Sequence, residues 1–506
     1  MAANSDAEMA MRSRPAAPAA GSEKVDVTAR TAAKKTLTPD LCVIGAGSGG
    51  LSVAAAAAAL GVSVVLIEKH KMGGDCLNSG CVPSKALLAA AHRAQVFRAS
   101  ADFGINAAEP VVDFKRIQRH VRSVIDAIAP NDSVERFTAL GVQVIQAAGR
   151  FIDKRTVEAG DIQIRARRFV VATGSSPSVP PIPGLDGVPY FTNETIFNVA
   201  HAIGHLIIIG GGPIGLELAQ AHRRLGAKVT VLEGLKALGK DDPELTAVAL
   251  KALREEGIDI REDTKVERIL MRGETIEVAT SGGQARETVS GTHLLVATGR
   301  KPNIEGLGLA AAGIKADRGW IGVSDGLVTS NSRVFAIGDV VGGLQFTHVA
   351  NYHASVVIKR ALFRVPARVN KDQVPWVTFT DPEIANAGLT EPAARERKLK
   401  VNVYRWPYHE NDRAQAERTT RGLVKVITSS SGKILGAGIV GAHAGELIQI
   451  WSLAVSQGLK IGAMTRWVSP YPTLGEISKR AAFTSIAGAA RSPAVRKLLS
   501  FLRKFG

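Results

Sequence analysis

Two stretches of the 506-residue chain carry the same succession of apolar run, glycine turn, amphipathic or apolar helix and second apolar run. The first, DLCVIGAGSGGLSVAAAAAALGVSVVLIEKH, opens with an apolar strand from Leu41 to Ile44 and turns through Gly45, Gly47 and Gly50. An alanine-rich helix follows, and the strand VSVVLIE ends at Glu68. The second, HLIIIGGGPIGLELAQAHRRLGAKVTVLEG, turns through Gly210, Gly212 and Gly215 and ends its second strand at Glu233. Gly45 to Gly210 and Glu68 to Glu233 are both 165 residues apart, so one unit occurs twice. Leu41 to Ile67 carries no charge and could mimic a membrane span. Its glycines and its division into strand, turn, helix and strand fit a buried βαβ unit better.

Each unit has what a dinucleotide needs. The first glycine makes a tight turn, the second lets a pyrophosphate approach the backbone, and the third lets helix and strand pack closely. The helix N-terminus faces the phosphates, and the acid ending the second strand accepts hydrogen bonds from a ribose. Two further apolar runs, VVATGS and LVATGR, read as buried strands ending in glycine turns beside these sites. They add Thr173 and Gly174 to the first site and Gly299 to the second. VFAIGDV is another apolar strand, with Asp339 at its tip, where ligands of open α/β sheets sit. Asp339 is therefore a candidate for a cofactor hydroxyl, with an ordinary turn aspartate as the alternative.

Composition adds a redox element. The chain has three cysteines, and two of them, Cys76 and Cys81, share the segment GGDCLNSGCVPSK. Three cysteines cannot make an extracellular disulfide framework, so the expectation is a reducing cytoplasm. A zinc site would need about four ligands, and near the pair only His70 and His92 are available, so no metal ligands are assigned. Pro83 and the run after it predict a helix just past the pair, whose N-terminus lowers a nearby thiol's pKa, and Lys85 adds positive charge. Two adjacent dinucleotides suggest a flavin and a nicotinamide, with the thiol pair taking electrons from the flavin. Cys42, inside the first strand, reads as a small core residue.

In GGDCLNSGCVPSK, ATGS, GGGPIGLELAQ, ATGRKPN, FAIGDV, FTDPEIANAGLT and GELI, in that order, the chain resembles the flavoprotein disulfide reductases from about Pro39 to Phe483. That family includes dihydrolipoamide dehydrogenase, glutathione reductase and mercuric reductase. The resemblance implies an α/β protein with two Rossmann-like dinucleotide-binding domains, for FAD and NAD(P), and a C-terminal α+β dimerisation domain that makes a homodimer. The corresponding expectation is an FAD domain over 37–187 and 305–370, an NAD(P) domain over 188–304 and a dimerisation domain over 371–485. The resemblance also implies roles: Cys81 as the flavin-side thiol and Cys76 as the interchange thiol that meets substrate. Lys85 and Glu217 would pair near the flavin's reactive nitrogen, and Asp339 would bind the FAD ribityl chain.

Departures from the family narrow the acceptor. Thiol–disulfide members carry histidine, proline and threonine with a glutamate five residues after the histidine; here SPYPTLGEI places Tyr471 at the histidine and keeps Glu476. Opening a substrate disulfide requires protonating a leaving thiolate, which a histidine with pKa about 6.5 does near neutrality and a tyrosine at about 10 does poorly. Mercuric reductases resemble this segment more closely, but they also end in a vicinal cysteine pair, whereas Cys81 is the last cysteine here. Glu233 should accept from the ribose hydroxyls of NAD and repel a 2′-phosphate, which favours NADH over NADPH, although Lys236 nearby could soften the repulsion. The expected activity is an FAD-dependent NAD(P)H oxidoreductase passing electrons through Cys76 and Cys81 to a metal ion, quinone or unusual disulfide. Dihydrolipoamide dehydrogenase is the enzymatic alternative, and a redox sensor or membrane-docked partner the non-enzymatic one.

The two ends differ from the body. Residues 1–36, rich in Ala, Ser, Thr and Pro, read as a disordered extension, and Asp6, Glu8, Glu23 and Asp26 argue against a transit peptide. The net charge of +17 is unevenly spread, and Ile477 to Gly506 holds seven basic residues and no acid. Over 486–506, Ser492 and Pro493 predict a helix start. Val495, Leu498, Leu499, Leu502 and Phe505 fall on one face, and Arg496, Lys497, Arg503 and Lys504 on the other. Docking on the protein's own dimerisation domain and peripheral attachment to an anionic membrane are both open; nucleic acid is not expected, since nothing supplies base-reading groups.

Overall fold

The computed structural model describes residues 34–106, 109–282, 285–490 and 493–505. Both repeated units form parallel sheets. In the first, five strands lie in the order Val334–Ala336, Arg168–Val171, Leu41–Ile44, Val64–Glu68 and Val142–Gln146. Every neighbouring pair is parallel. The second has the order Asp259–Arg261, Lys228–Leu232, His205–Ile209 and His293–Val296, also all parallel. The inner strands Leu41–Ile44 and His205–Ile209 are apolar runs because both faces of each sheet are covered. Helices pack on one face, and a small second sheet packs on the other, where Cys42 and Ile44 meet Phe151, Val157 and Ile164, and Ile207 and Ile209 meet Ile269, Ile276 and Val278. Leu41, Cys42 and Val43 are fully buried, as are Leu206, Ile207 and Ile208. Cys42 is thus a core residue. The uncharged stretch from Leu41 resolves into a strand, the helix Ser48–Ala59 and the strand Val64–Glu68. No described helix is long and apolar enough to cross a membrane.

A five-stranded antiparallel sheet forms the C-terminal domain in the order Pro375–Thr378, Glu383–Gly388, Ile434–Gly441, Leu423–Ser429 and Val401–Pro407. The helices Ala444–Ser456 and Glu476–Ala490 pack on it around the fully buried Trp451. Buried charge joins this domain to the helix Pro243–Glu255 of the second repeated unit. Lys425 Nζ reaches Asp242 at 2.8 Å, Glu244 at 2.9 Å and Glu391 at 2.7 Å, with only 4% of the lysine side chain exposed. Three carboxylates around one ammonium satisfy its donors, which a buried lysine requires.

At the ends the structure differs from the pattern-based expectation. Lys35 and Thr36, placed in the extension by composition, begin the strand Lys35–Leu37, which pairs in parallel with Ile162–Ile164. A three-residue edge strand is too short to give a periodic signal. The rest of the extension, residues 1–33, lies outside the described residues, as does the Ser492 cap. The terminal helix is present as Pro493–Leu502 and buries none of its residues.

Candidate active site

Steric demands at the two glycine turns match those of a bound dinucleotide. Gly45 and Gly210 have φ of 105° and 113°, and a Cβ on either would lie 2.4 Å from the carbonyl oxygen of Ala172 or Ala297. The third glycines are more crowded still: a Cβ on Gly50 would meet the Gly45 oxygen at 1.9 Å, and one on Gly215 the Gly210 oxygen at 2.0 Å. The middle glycines face open space, with nothing within 4 Å of a Cβ on Gly212 and only the Gly74 Cα, at 3.9 Å, near one on Gly47. Space at the middle position with crowding at the other two is the arrangement a pyrophosphate on a helix N-terminus requires.

The strand-end acids are held identically. Glu68 accepts from the Ala46 and His70 backbone amides, both at 2.7 Å. Glu233 accepts from Gly211 at 2.7 Å and Leu235 at 2.9 Å. Each carboxylate is thereby fixed at the strand end with lone pairs left for ribose hydroxyls. A cleft of about 520 Å³ lies beside the second turn, lined by Gly210, Leu232, Glu233, Lys265, Val266 and Thr298 among others. Lys236 does not turn toward it as a free cation; its ammonium pairs with Asp263 at 2.5 Å. Gly299 adopts φ 137° at the end of the neighbouring strand.

Around the first site, Asp339 sits in the short helical turn Gly338–Val341 after its strand. Its carboxylate accepts from Ser175 Oγ at 2.7 Å, and burial raises its pKa against the pull of Ser175 and Arg300. Thr173 and Asn303 exchange two hydrogen bonds, at 2.7 and 3.0 Å, which tie the Thr173–Gly174 turn to the ATGRKPN segment. Arg300 of that segment, almost wholly buried, reaches Ser175 Oγ at 2.7 Å and Asp75 at 2.9 Å, with Asp339 at 3.7 Å. Asp75 is the neighbour of Cys76, so one guanidinium links the Asp339 turn to the thiol loop. The sequence motif contained Arg300, but no local spacing pointed to Asp75 as its partner.

Cys76 lies in the short helix Gly74–Asn78, and Cys81 is the first residue of the helix Cys81–Ala99. This helix begins two residues before the start expected at Pro83. Proline is accommodated because the first-turn amides have no intrahelical partners; the first i to i−4 bond runs from the Ser84 amide to the Gly80 carbonyl at 3.1 Å. Cys81 therefore stands inside the positive end of the helix. Its pKa is lowered to about 6, first by the hydrogen bond from Cys76, then by Thr347 and the Lys85 charge, against burial. The Cys76 thiol is pushed up by the same pairing and by burial. One proton is thus held on Cys76 while Cys81 is a thiolate at neutral pH. Thr347, whose Oγ1 lies 3.5 Å from the Cys81 sulfur, begins the helix Thr347–Ala361 and had no signal in the sequence.

Behind the pair, Lys85 Nζ bonds Glu217 at 2.8 Å and lies 4.2 Å from the centre of the Phe379 ring. Glu217 is buried, and its second oxygen accepts from the Phe379 amide at 2.9 Å. The expected Lys85–Glu217 pair is therefore assembled across the two repeated units and clamped by the FTDP segment.

Tyr471 and Glu476 stand apart in the C-terminal domain. Tyr471 is 67% exposed and donates to Asp412 at 2.8 Å. The Asp412 carboxylate and its charge raise the phenol's pKa. Glu476 pairs with Arg480 at 3.2 Å, one turn along its own helix. Within one chain, the polar contacts found for these two side chains stay inside the C-terminal domain.

Comparison with known proteins agrees with this geometry. Residues 39–354 match the model of the pyridine nucleotide-disulphide oxidoreductases, and residues 374–482 match the dimerisation domain of the same family. The chain is 36% identical to a mercuric reductase of Streptomyces lividans, over 89% of this chain and 97% of that one. It is 34% identical to a dihydrolipoyl dehydrogenase of Staphylococcus aureus, over 88% and 96%. Among solved structures, the Cu(II) complex of the HOCl-induced flavoprotein disulfide reductase RclA from Escherichia coli superposes with a TM-score of 0.79 at 27% identity, covering 88% of this chain and 99% of that one. LpdA from Mycobacterium tuberculosis superposes with 0.82 at 26% identity, covering 88% and 99%. The dimerisation domain supports a homodimer. Two dinucleotide turns, a thiol pair between them and these matches make the chain a member of the FAD-dependent pyridine nucleotide-disulphide oxidoreductases.

Proposed function

We propose that this enzyme is an NADH-preferring reductase of a thiophilic metal ion, which it takes between Cys76 and Cys81. Bound FAD supplies the relay of an electron pair from the nicotinamide to the thiol pair. Gly45, Gly47, Gly50, Glu68, Thr173, Gly174 and Asp339 hold FAD in this reading, and Gly210, Gly212, Gly215, Glu233 and Gly299 hold NADH. Lys85, braced by Glu217, keeps positive charge beside Cys81 so that the thiolate persists.

The observation carrying the acceptor class is the Tyr471–Asp412 hydrogen bond. A phenol whose pKa is raised by a neighbouring carboxylate neither releases nor collects a proton near neutrality. Reduction of a disulfide substrate needs such a proton, whereas reduction of a metal ion on two thiolates does not. For a two-electron acceptor the balance is NADH and Hg²⁺ to NAD⁺, H⁺ and Hg⁰; for Cu²⁺ reduced to Cu⁺, two ions are consumed per NADH. Relatives named mercuric reductase and the Cu(II) complex of RclA support the same class.

Glu233 supports the coenzyme preference. Its carboxylate is fixed at the strand end by the Gly211 and Leu235 amides, a strand-end acid that in this reading accepts from ribose hydroxyls and repels a 2′-phosphate, and the nearby Lys236 is already paired with Asp263. The test is steady-state NADH oxidation with mercuric, cupric, quinone and lipoamide acceptors. Turnover is expected with a metal ion and lost in Cys76→Ser and Cys81→Ser. Lipoamide turnover equal to or above that with the metal ions would overturn the proposal in favour of dihydrolipoamide dehydrogenase.

A further inference from the structure

The helix Pro493–Leu502 buries none of its residues. Leu498 is 55% exposed, Leu499 50%, Phe501 56% and Leu502 50%, and Phe505 just beyond is 74% exposed. A ten-residue helix with four large apolar side chains half or more in water, and a fifth at Phe505 just past its end, is unfavourable unless something covers it. Within the described chain, the C-terminal domain does not provide that cover.

The order of charges around the helix identifies the cover. At about 100° per residue, Phe501, Phe505, Leu498, Leu502, Val495 and Leu499 follow one another over an arc of about 160°. Arg503 and Arg496 border that arc on one side, and Lys504 and Lys497 border it on the other. Ser500 occupies the middle of the polar face. Long basic side chains at both borders of an apolar arc can extend their charges away from it while their stems add to the apolar surface. Phe501 and Phe505 pack edge to face, with ring centres 5.1 Å apart, which stiffens one margin of the apolar arc. The thirty residues ending the chain contain seven basic side chains and no acid. This arrangement lies flat on a surface that is apolar at depth and anionic at its edge. Two copies of the helix meeting face to face would instead bring eight cations together with no acid to offset them.

We infer that the terminal helix docks on an anionic lipid surface, with Val495, Leu498, Leu499, Phe501, Leu502 and Phe505 entering the headgroup boundary and the four flanking cations meeting lipid phosphates. The attachment is independent of the electron acceptor. It is reversible, because one short helix with four charges supplies far less than a membrane span.

Co-sedimentation of the FAD-loaded full chain with vesicles tests this. Binding is expected to phosphatidylcholine containing phosphatidylglycerol at low ionic strength, and not to phosphatidylcholine alone. It should disappear in about 1 M salt, where the screening length falls to about 3 Å. Deleting residues 491–506 should abolish binding while flavin absorbance is retained. Arg503→Ser and Lys504→Ser should each lower the partition coefficient about five-fold. Failure to bind anionic vesicles at low salt, or equal binding by the shortened chain, overturns the inference. A loss of subunit association on deletion without vesicle binding would assign the face to a second copy. Equal affinity for soluble polyglutamate would assign it to an acidic protein groove.

Discussion

Replacing Cys76 by serine and by alanine separates the hydrogen bond that holds Cys81 as a thiolate from everything else around it. That bond is the leading influence on Cys81, which burial opposes and which Thr347 and Lys85 assist, for a pKa of about 6. Serine keeps a donor at the place and alanine removes it. A hydrogen bond to a charged acceptor contributes about 1.5–3 kcal/mol, and the lower end applies because a thiol is a weak donor. At about 1.4 kcal/mol per pKa unit, losing it raises the midpoint by about one unit. Cys81 should therefore titrate near 6 in Cys76→Ser and near about 7 in Cys76→Ala. At a pH of about 6.5 the thiolate fraction falls from roughly three-quarters to roughly a quarter. Both variants leave Cys81 as the sole reactive thiol, since Cys42 is fully buried and its thiol is pushed up by desolvation. The assay is the long-wavelength thiolate-to-flavin absorbance of the FAD-loaded variants against pH, checked by the pH dependence of alkylation. Thiolate is present above the midpoint and lost as pH falls through it. Equal midpoints in the two variants would refute the hydrogen bond as the cause.

Three further outcomes are expected. Gly215→Ala should abolish reduction of the flavin by NADH while the protein stays yellow, because its Cβ would lie 2.0 Å from the Gly210 oxygen; retained NADH affinity, measured by titration, would contradict the turn geometry. Glu233→Ala should narrow the ratio of kcat/KM for NADH over NADPH by removing repulsion of the 2′-phosphate, and a wild-type preference for NADPH would show that strand end to be misread. Tyr471→His should raise dihydrolipoamide turnover by restoring a proton shuttle beside Glu476, typically worth about 100-fold or more where the geometry is right; wild-type turnover equal to the variant's would remove the tyrosine as the determinant of substrate.

Much of the site was readable in the chain because its signals are local. Each dinucleotide turn places three glycines within six residues and an acid at the end of the next strand, and in both copies the structure brings that acid against a backbone amide of its own glycine turn. What escaped the pattern depends on distance along the chain. Thr347 meets Cys81 across 266 residues, and Asp75 meets Arg300 from another repeat. No spacing rule links such pairs. Pro83 suggested a helix start two residues late, since proline fits the whole first turn rather than only its first position. Lys236 was placed correctly in sequence beside Glu233, but Asp263, from the next strand connection, takes its charge.

The thiol pair is governed by groups from every part of the fold, which constrains how the protein can change. Lys85 needs Glu217 from the second glycine unit, and Glu217 needs the Phe379 amide from the start of the C-terminal domain. Lys425 of that domain returns the link by binding Asp242 and Glu244, at the start of the second unit's helix Pro243–Glu255. Removing Lys425 would leave the buried Asp242 carboxylate without its cation, while Arg405 still pairs with Glu244 and Glu391; an uncompensated buried charge costs more than the loss of an exposed ion pair. The second unit would then be free to shift against the C-terminal domain, and the first contact affected would be the Glu217 brace behind Lys85. A substitution far from either cysteine should therefore raise the Cys81 pKa as well as lower stability. Lys425→Met tests that link: a lowered Tm with an unchanged Cys81 midpoint would confine the buried cluster to stability alone, whereas a raised midpoint would show that the C-terminal domain holds the thiolate in place.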